Sequence, residues 1–194
     1  MVELNRIYTK VGDGGRTRLA DGSEVAKSHP RVAAYGSVDE ANAQLGLVAL
    51  EPLPAGMGEE LARVQNDCFD LGSDLATPSG GPWEERIPRI SPGQVARLEG
   101  QIDAATAVLE PLRSFILPGG CRAAALLHVA RTVVRRSERE AWLAHSLELA
   151  EGVPGLNPQA LCYLNRLSDL CFVWARLAND QGRADVLWQP GAHR

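Results

Sequence analysis

The N-terminal segment from Thr9 to Thr17, TKVGDGGRT, contains residue types that can bind phosphate. Its three glycines allow backbone N–H groups to face a ligand, and Lys10 and Arg16 add positive charge. The segment lacks the GxxxxGKS/T pattern of a P-loop, and no strand–loop–helix unit surrounds it. Taken alone, it is more typical of a glycine-rich surface turn than of a phosphate site.

Arginines recur every four residues in the segment RTVVRRSER, at Arg131, Arg135 and Arg139. This spacing puts them on one face of a helix, with Glu138 within a turn of Arg135. Guanidinium groups stacked in this way repel one another unless carboxylates or a polyanion neutralise them. The pattern therefore predicts either an anion-binding face or a solvated face with salt bridges.

Three further segments each contain one residue with a candidate role. Asp39 lies in GSVDE among apolar neighbours. A buried Asp39 would need a partner, and Arg131 is the candidate if their helices meet within or between subunits, whereas an exposed Asp39 needs none. Asn165 in YLNRLSD either contacts an adenine edge or a ribose hydroxyl, or is ordinary helix-surface polarity. Phe115 in SFILPGG precedes a flexible turn, and such a residue is ordinarily in the core.

Five helices are predicted to position these residues, because apolar residues recur at spacings of three and four between breaks rich in Pro and Gly. The predicted helices are Val32–Leu50, Glu59–Ala76, one that opens after Ser91 and ends near Leu109, Arg122–Leu149, and Gln159–Asp180. An N-cap residue followed by proline marks the start of the third and fifth helices. Residues 1–30 lack this periodicity, so we predict a loop-forming arm with a short strand at Arg6–Thr9.

These elements predict an all-α fold, an up-and-down five-helix bundle, in a single domain of residues 1–194. The N-terminal arm comprises residues 1–30, the bundle residues 31–180, and the C-terminal tail residues 181–194, in which no motif is recognisable. The loop at 77–90 is long enough to act as a lid, and its Trp83 is expected to cover an apolar surface.

Composition and charge exclude several classes of protein. A net charge of −4 and a pI near 5.6 argue against a general nucleic-acid binder. No stretch approaches the roughly 18 apolar residues of a membrane span, and the N-terminus lacks an apolar signal region, so we expect a cytoplasmic protein without membrane contact. The histidines are dispersed and no CxxC pair occurs, so a metal cage of protein side chains is not expected. The cysteines, expected to be reduced core residues, are Cys68, Cys121, Cys162 and Cys171.

Taken in order, these segments resemble the motifs of the PduO-type corrinoid adenosyltransferase family. Those motifs are a TKxGDxGxT arm, a GxxDE segment, an FxLPGG turn, an RxxxRRxER helix and an LNRLSD helix, and all five are present between Tyr8 and Arg176. The resemblance implies a ferritin-like, cobalamin adenosyltransferase-like bundle of five helices that assembles as a homotrimer. It further implies that ATP binds between subunits, held by the arm of one and the fourth helix of another.

The resemblance also assigns individual residues to the two substrates. The implied ATP-binding residues are Thr9, Lys10, Gly12, Asp13, Gly15, Thr17, Lys27, Arg135, Arg136, Glu138, Arg139 and Asn165. The implied catalytic residues are Arg135, Phe115 and Lys10. Asp39 and Arg131 are implied to form an ion pair near the corrin, and Phe115 to press on the lower face of cobalt. Arg18 stands where some relatives have a small hydroxyl residue, so that contact is not assigned.

The activity implied by the resemblance is transfer of the 5′-deoxyadenosyl group of ATP to the cobalt of cob(I)alamin, giving adenosylcobalamin and tripolyphosphate, in cobalamin biosynthesis or salvage. Cob(I)alamin is itself a strong nucleophile and needs no general base, so positioning and charge stabilisation should dominate. Lys10, Arg135 and a Mg²⁺ ion bound to the ATP phosphates would neutralise the leaving group. If Phe115 displaces the lower axial ligand, the resulting four-coordinate cob(II)alamin is easier to reduce.

Two alternative functions remain open at this point. One is a non-catalytic bundle that carries or senses ATP or a corrinoid, and the intact arginines and arm disfavour it. The other is a phosphotransferase, which would release ADP rather than tripolyphosphate. For the adenosyltransferase, the expected protein partners are sister subunits, a flavin reductase and an adenosylcobalamin-dependent client enzyme, with no nucleic acid.

Overall fold

The computed structural model describes residues 7–8, 10–81 and 86–192. The helices are α1 (Pro30–Val48), α2 (Met57–Leu75), α3 (Pro92–Val108), α4 (Arg122–Ala150) and α5 (Pro158–Ala178). Two short antiparallel strands precede them, β1 (Arg16–Arg18) and β2 (Glu24–Ala26). The predicted all-α bundle of five helices is confirmed. Its division into arm, bundle and tail within one domain stays a prediction.

The arm differs from its prediction in where its strands lie. Ile7 and Tyr8 belong to no strand, so the strand predicted at Arg6–Thr9 is wrong over its described part, while Arg6 and Thr9 themselves lie outside the described residues. The strands form further along the chain, where Thr17 pairs with Val25. Strands of three residues are too short to show a two-residue periodicity, so the sequence pattern could not reveal them.

Helix starts follow the local chemistry of the sequence. Proline occupies the first turn of α1, α3 and α5, where its missing N–H costs no hydrogen bond. The backbone N–H of Ser91 donates to Gln94 Oε1 at 3.0 Å ahead of α3, and Asn157 Oδ1 accepts from the N–H of Gln159 at 3.0 Å ahead of α5. Both predicted caps are therefore present.

Helix α4 is the centre of the bundle. It packs against α1 on one side and α5 on the other, while α2 packs on α1 and α3 packs on α5. The side chains between them are almost entirely apolar and fully buried, including Leu45, Leu71, Leu127, Leu164 and Leu170. Burial of each such leucine contributes about 1.5–3 kcal/mol, so the apolar stripes of α4 and α5 fix the relative positions of the helices.

Two buried polar clusters join the helix ends. Arg31 donates through Nη1 to the carbonyl of Leu75 at 2.7 Å and forms a two-point ion pair with Glu148, whose Oε2 accepts from Nη2 at 2.7 Å. The start of α1 is thereby tied to the ends of α2 and α4. Asp74 at the end of α2 accepts from the N–H of Ile90 at 2.8 Å and from Asn157 Nδ2 at 2.7 Å, which ties α2 to the starts of α3 and α5.

Several predictions about loops and cysteines have mixed outcomes. Cys68 and Cys171 are buried and free, as expected, but Cys121 and Cys162 are exposed, so the prediction that they are core residues is wrong. Cys121 precedes α4 and Cys162 lies on the outer face of α5, positions that helical spacing alone does not bury. Trp83 lies outside the described residues, and of the loop predicted as a lid the structure describes 77–81 and 86–90. None of the described helices is long and apolar enough to cross a membrane.

Candidate functional site

The arm forms a hairpin with a concave, cationic side. Lys27, just after β2, donates its backbone N–H to the carbonyl of Gly15 at 2.8 Å, and Arg16 pairs with Glu24 across the two strands. Gly15 has φ +77°, in the left-handed region that favours glycine, so the turn into β1 depends on it. These contacts fold residues 10–27 back on themselves and place glycine and lysine side by side.

A cavity of about 570 Å³ opens in this hairpin. It is lined by Val11, Gly12, Arg16, Thr17, Arg18, Glu24 and Lys27. A Cβ at Gly12 would lie 3.1 Å from Lys27 Nζ, so the absence of a side chain at Gly12 leaves room for the ammonium group. Of the predicted phosphate-binding residues, the hairpin thus brings together Gly12, Thr17 and Lys27. We call this space the arm cavity.

The remaining arm candidates lie at its exposed rim. Lys10, Asp13 and Gly15 are exposed, and Thr9 lies outside the described residues. The N–H of Gly15 donates to the carbonyl of Gly12 at 3.2 Å, so the backbone turns tightly between them. Arg18, to which no contact was assigned, lines the arm cavity. The arm therefore carries more positive charge toward the cavity than its motif alone indicated.

Helix α4 presents arginines without carboxylate partners. Arg135 and Arg139 are exposed, and Arg139 Nη1 donates to the carbonyl of Arg135 at 3.1 Å. Neither guanidinium forms an ion pair with any carboxylate in the described part of the chain, whereas Arg136 pairs with Glu40 of α1. Arg136 lies off the predicted face of Arg131, Arg135 and Arg139, so its pair with Glu40 does not make that face salt-bridged, and Arg135 and Arg139 stay available to an anion.

A polar cluster on α5 lies beside these arginines. Asn165 Nδ2 donates to Glu138 Oε1 at 3.0 Å, and Arg166 Nη1 donates to Asn165 Oδ1 at 2.6 Å. Burial raises the pKa of the Asp169 carboxyl, and Glu138 raises it further, while Arg166 and Arg135 act in the opposite direction. Glu138, placed near Arg135 by sequence spacing, instead orients Asn165. The structure therefore groups the α4 and α5 candidates Arg135, Glu138 and Asn165.

Asp39 and Arg131 do not form an ion pair within the chain, although α1 and α4 pack together. Asp39 is exposed and lines a cavity of about 280 Å³ between α1 and α2, with Tyr35 and Phe69 among its walls. Arg131 is half-buried, and its Nε has no hydrogen-bond partner in the described structure. A pair between Asp39 and Arg131 within one chain is therefore absent, and a pair between subunits stays a prediction.

Phe115 is exposed rather than part of the core. Its side chain is 77% exposed, so the ordinary interpretation of an apolar residue as core does not apply. Its ring meets Trp188 edge-on, with centroids 5.9 Å apart and planes at 64°. The two aromatic rings, with Leu112, Arg113, Ser114 and Pro190, line a cavity of about 510 Å³. Trp188 was missed, and its only sequence signal was a tryptophan in an otherwise motif-free tail.

A family model described as cobalamin adenosyltransferase matches residues 7–178. The chain belongs to the cobalamin adenosyltransferase family. Its arm cavity, α4 arginines, Phe115 and Asn165 all lie within the matched range.

Individual members of the cobalamin adenosyltransferase family support this assignment. A corrinoid adenosyltransferase of Mycobacterium tuberculosis is 50% identical over 194 residues, covering 100% of this chain and 97% of that protein. The corrinoid adenosyltransferase PduO of Salmonella typhimurium is 41% identical over 182 residues, covering 93% of this chain and 52% of that protein. The resemblance to the PduO-type family is confirmed, as is the prediction of an enzyme of the corrinoid adenosyltransferase class.

A solved structure in the same family has a closely similar fold. It is a variant of the PduO-type ATP:corrinoid adenosyltransferase from Lactobacillus reuteri, complexed with cobalamin and ATP. It is 38% identical with a TM-score of 0.82, covering 95% of this chain and 97% of that one. Within residues 7–8, 10–81 and 86–192, no group of three or more His, Cys, Asp or Glu side chains is arranged to hold a metal.

Proposed function

We propose that this chain transfers the 5′-deoxyadenosyl group of ATP to the cobalt of cob(I)alamin, releasing tripolyphosphate. The main support for the proposal is the pair of exposed guanidiniums on α4, Arg135 and Arg139. Neither forms an ion pair with a carboxylate among the described residues. Arg135 attracts the nearby Asp169 carboxyl without contacting it, so two adjacent guanidiniums outside ion-pair distance of any described carboxylate favour a polyanionic ligand. The solved L. reuteri relative holds both ATP and cobalamin.

The ATP site is proposed to lie between subunits of a homotrimer. The arm cavity is lined by arm residues alone, and none of the α4 arginines contributes to its walls. An arm that donates Lys27 and a helix that donates Arg135 therefore complete one site if they come from neighbouring subunits. The same arrangement would bring Asp39 of one subunit to Arg131 of the next, giving the half-buried Arg131 a partner.

Charge neutralisation is the main contribution of the protein to the proposed reaction. The cobalt nucleophile attacks C5′ of ATP, the C5′–O bond breaks, and tripolyphosphate leaves with its electron pair. Lys10, Lys27 and Arg135 would stabilise the charge on that leaving group, an effect of preorganised donors that requires no proton transfer. Mg²⁺, for which the described residues supply no protein cage, fits as an ion carried by the ATP phosphates.

Phe115 is proposed to act on the corrin rather than on ATP. An exposed aromatic ring beside a cavity of about 510 Å³ can press against the flat corrin and exclude an axial ligand from the lower face of cobalt. Loss of that ligand gives four-coordinate cob(II)alamin, which is easier to reduce.

A flavin reductase would supply the electron, and an adenosylcobalamin-dependent enzyme would take the product. We place this chemistry in the cytoplasm.

The proposed activity is tested by mixing the protein anaerobically with chemically reduced cobalamin, ATP and Mg²⁺, and following conversion to adenosylcobalamin by absorbance. Arg135→Ala should lower the rate by roughly 10²–10³, the usual effect of removing one donor that stabilises a developing charge. Arg63→Ala is the matched control, because Arg63 is an exposed helical arginine paired with Glu60 on α2. Wild-type protein that binds ATP without conversion would favour the carrier or sensor, and release of ADP would favour the phosphotransferase.

Subunit sharing is tested by mixing two inactive variants, Lys27→Ala and Arg135→Ala, after dissociation and reassembly. If each site takes an arm from one subunit and α4 from another, about a quarter of the sites in a random mixture regain both wild-type elements. If arm and α4 of one chain form the site, mixing restores nothing. Sedimentation of the wild type should give three times the monomer mass, and a monomer would contradict the shared site.

A further inference from the structure

The C-terminal tail lies alongside the segment that contains Phe115. The N–H of Leu117 donates to the carbonyl of Val186 at 2.7 Å, and the N–H of Trp188 donates to the carbonyl of Phe115 at 2.8 Å. Ser114 Oγ also donates to the carbonyl of Trp188 at 3.1 Å. Residues 185–188, the tail segment, thus run antiparallel to residues 114–117, the Phe115 segment.

A buried ion pair fixes the tail segment to the end of α5. Arg176 Nε donates to Asp185 Oδ2 at 2.8 Å, and the two side chains are only 9% and 3% exposed. Asn179 Nδ2 donates to the other carboxylate oxygen, Oδ1, at 3.3 Å. Arg176 Nη2 in turn donates to the carbonyl of Glu110, just before the Phe115 segment. Asp185 therefore supplies the buried side-chain attachment of the tail segment to the bundle, beside the backbone bond from the N–H of Ala184 to the carbonyl of Asn179 at 3.0 Å.

The same cluster also holds the glycine turn that follows the Phe115 segment. Asn179 Nδ2 donates to the carbonyl of Gly119 at 3.1 Å, and Asn179 Oδ1 accepts from the N–H of Cys121 at 2.9 Å. Gly120 has φ +93°, and a Cβ there would collide with the Asn179 amide. Residues 114–121 are thus held by the α5 end at their far end and by the tail segment along their length.

Phe115 needs this external support because its own packing is poor. With 77% of the side chain exposed, the ring makes few contacts that could fix its orientation, and the edge contact with Trp188 comes from the tail segment. A loop that carries an exposed aromatic ring is held mainly by its backbone hydrogen bonds. Those bonds come from the tail segment, and Asp185 is the buried side chain that joins the tail segment to the end of α5.

We propose that Asp185 is a positioning residue, which attaches the tail segment to Arg176 and Asn179 and thereby holds Phe115 in the orientation that excludes the lower ligand of cobalt. The role in the corrin step rests on the function proposed above. The attachment itself does not, because it is a property of the protein without substrate. Asp185 has no expected contact with ATP, so its loss should affect the cobalt ligand more than the adenosyl transfer.

The test compares Asp185→Asn with Asp180→Asn. The second is a matched control, since Asp180 lies in the same C-terminal region and pairs with Arg183, but both of those side chains are about two-thirds exposed (64% and 65%). Amide hydrogen exchange of Leu117 and Trp188 is measured without substrate. The fraction of four-coordinate cob(II)alamin formed with ATP is measured by electron paramagnetic resonance, and conversion of chemically reduced cob(I)alamin by absorbance.

Asp185→Asn should speed exchange at both amides by about tenfold or more and lower the four-coordinate fraction by at least about fivefold, while cob(I)alamin conversion falls much less. Asp180→Asn should resemble wild type. The proposal would be overturned if folded Asp185→Asn had the same amide exchange rates and the same four-coordinate fraction as wild type. It would also be overturned if formation of four-coordinate cob(II)alamin and conversion of cob(I)alamin fell equally. Should Asp185→Asn fail to fold, Ser114→Ala removes the side-chain hydrogen bond from the Phe115 segment to the tail segment, and an unchanged four-coordinate fraction would overturn the proposal that the tail segment holds Phe115. Absence of cob(I)alamin conversion by wild type would instead count against the proposed function, leaving the exchange result intact.

Discussion

Replacement of Arg31 by alanine should be one of the most destabilising changes outside the apolar core. The Arg31 side chain is 2% exposed and its partner Glu148 is 12% exposed. The guanidinium donates twice to that carboxylate and once to the carbonyl of Leu75. Alanine removes all three donors at once and leaves a carboxylate and a backbone carbonyl in a space that water hardly reaches.

The expected cost is about 3–5 kcal/mol, because the charge left behind keeps its desolvation penalty without the compensating attraction. For a chain of this size the urea m-value is about 2 kcal/mol/M, so the unfolding midpoint should fall by about 2 M. Protein concentration must be held constant, since assembly adds to apparent stability. Arg63→Ala, which removes a guanidinium that is 60% exposed from its pair with Glu60, should change the free energy of unfolding by less than about 0.5 kcal/mol.

The double variant Arg31→Met/Glu148→Leu separates lost attraction from stranded charge. Replacing both members of a buried pair by apolar residues of similar size is often nearly neutral. The double variant should therefore recover most of the stability lost in Arg31→Ala. If Arg31→Ala costs less than about 1 kcal/mol, or the double variant is as unstable as the single one, the reasoning about a stranded charge is wrong.

Two further predictions follow from buried titratable groups. Burial lowers the pKa of His128, an effect that the charge of Arg131 strengthens and Asp185 opposes. The contribution of His128 to stability is therefore full above about pH 6.5 and is lost as the pH falls below that value. Urea midpoints of His128→Leu should accordingly vary less between about pH 7.5 and 5.5 than those of wild type. Burial raises the pKa of the Cys171 thiol to about 12 and also raises the pKa of the Cys68 thiol. Iodoacetamide at pH 8, with the products counted by mass spectrometry, should therefore alkylate two cysteines of the native chain quickly and all four only in denaturant. Rapid loss of all four thiols in the native chain would contradict this burial.

Sequence reasoning predicted the helices well because their signals are local. Apolar residues at spacings of three and four, together with Ser91 and Asn157 before proline, determine where helices start and which face is buried. The arm hairpin and the tail segment were not predicted from the sequence, and the reason is the same for both. Each depends on backbone pairing rather than on periodicity, and in the tail Trp188 pairs with Phe115, a residue far away in the chain.

The residue types of the candidate site could be predicted from the sequence, but their exposure and their partners could not. Helical spacing placed Arg135 and Arg139 on one face, yet whether each had a partner depended on residues from other helices. Arg136 is paired because Glu40 of α1 reaches it, a contact between residues nearly a hundred positions apart. Exposure of Phe115 was equally invisible, since an apolar side chain in a sequence gives no sign of whether the fold covers it.

The positions of the buried polar contacts explain how a rigid helix and two irregular segments can serve one reaction. Helix α4 is fixed at its start, where the N–H of Cys121 donates to Asn179, and near its end, where Glu148 meets Arg31. Arg135 lies midway, next to the fully buried Val134, so its guanidinium extends from a backbone that is packed against the core and held near both ends of the helix. The segment containing Phe115 has no such helix, and hydrogen bonds from the tail replace it. Variants in the tail should therefore alter the cobalt ligand before they alter ATP binding.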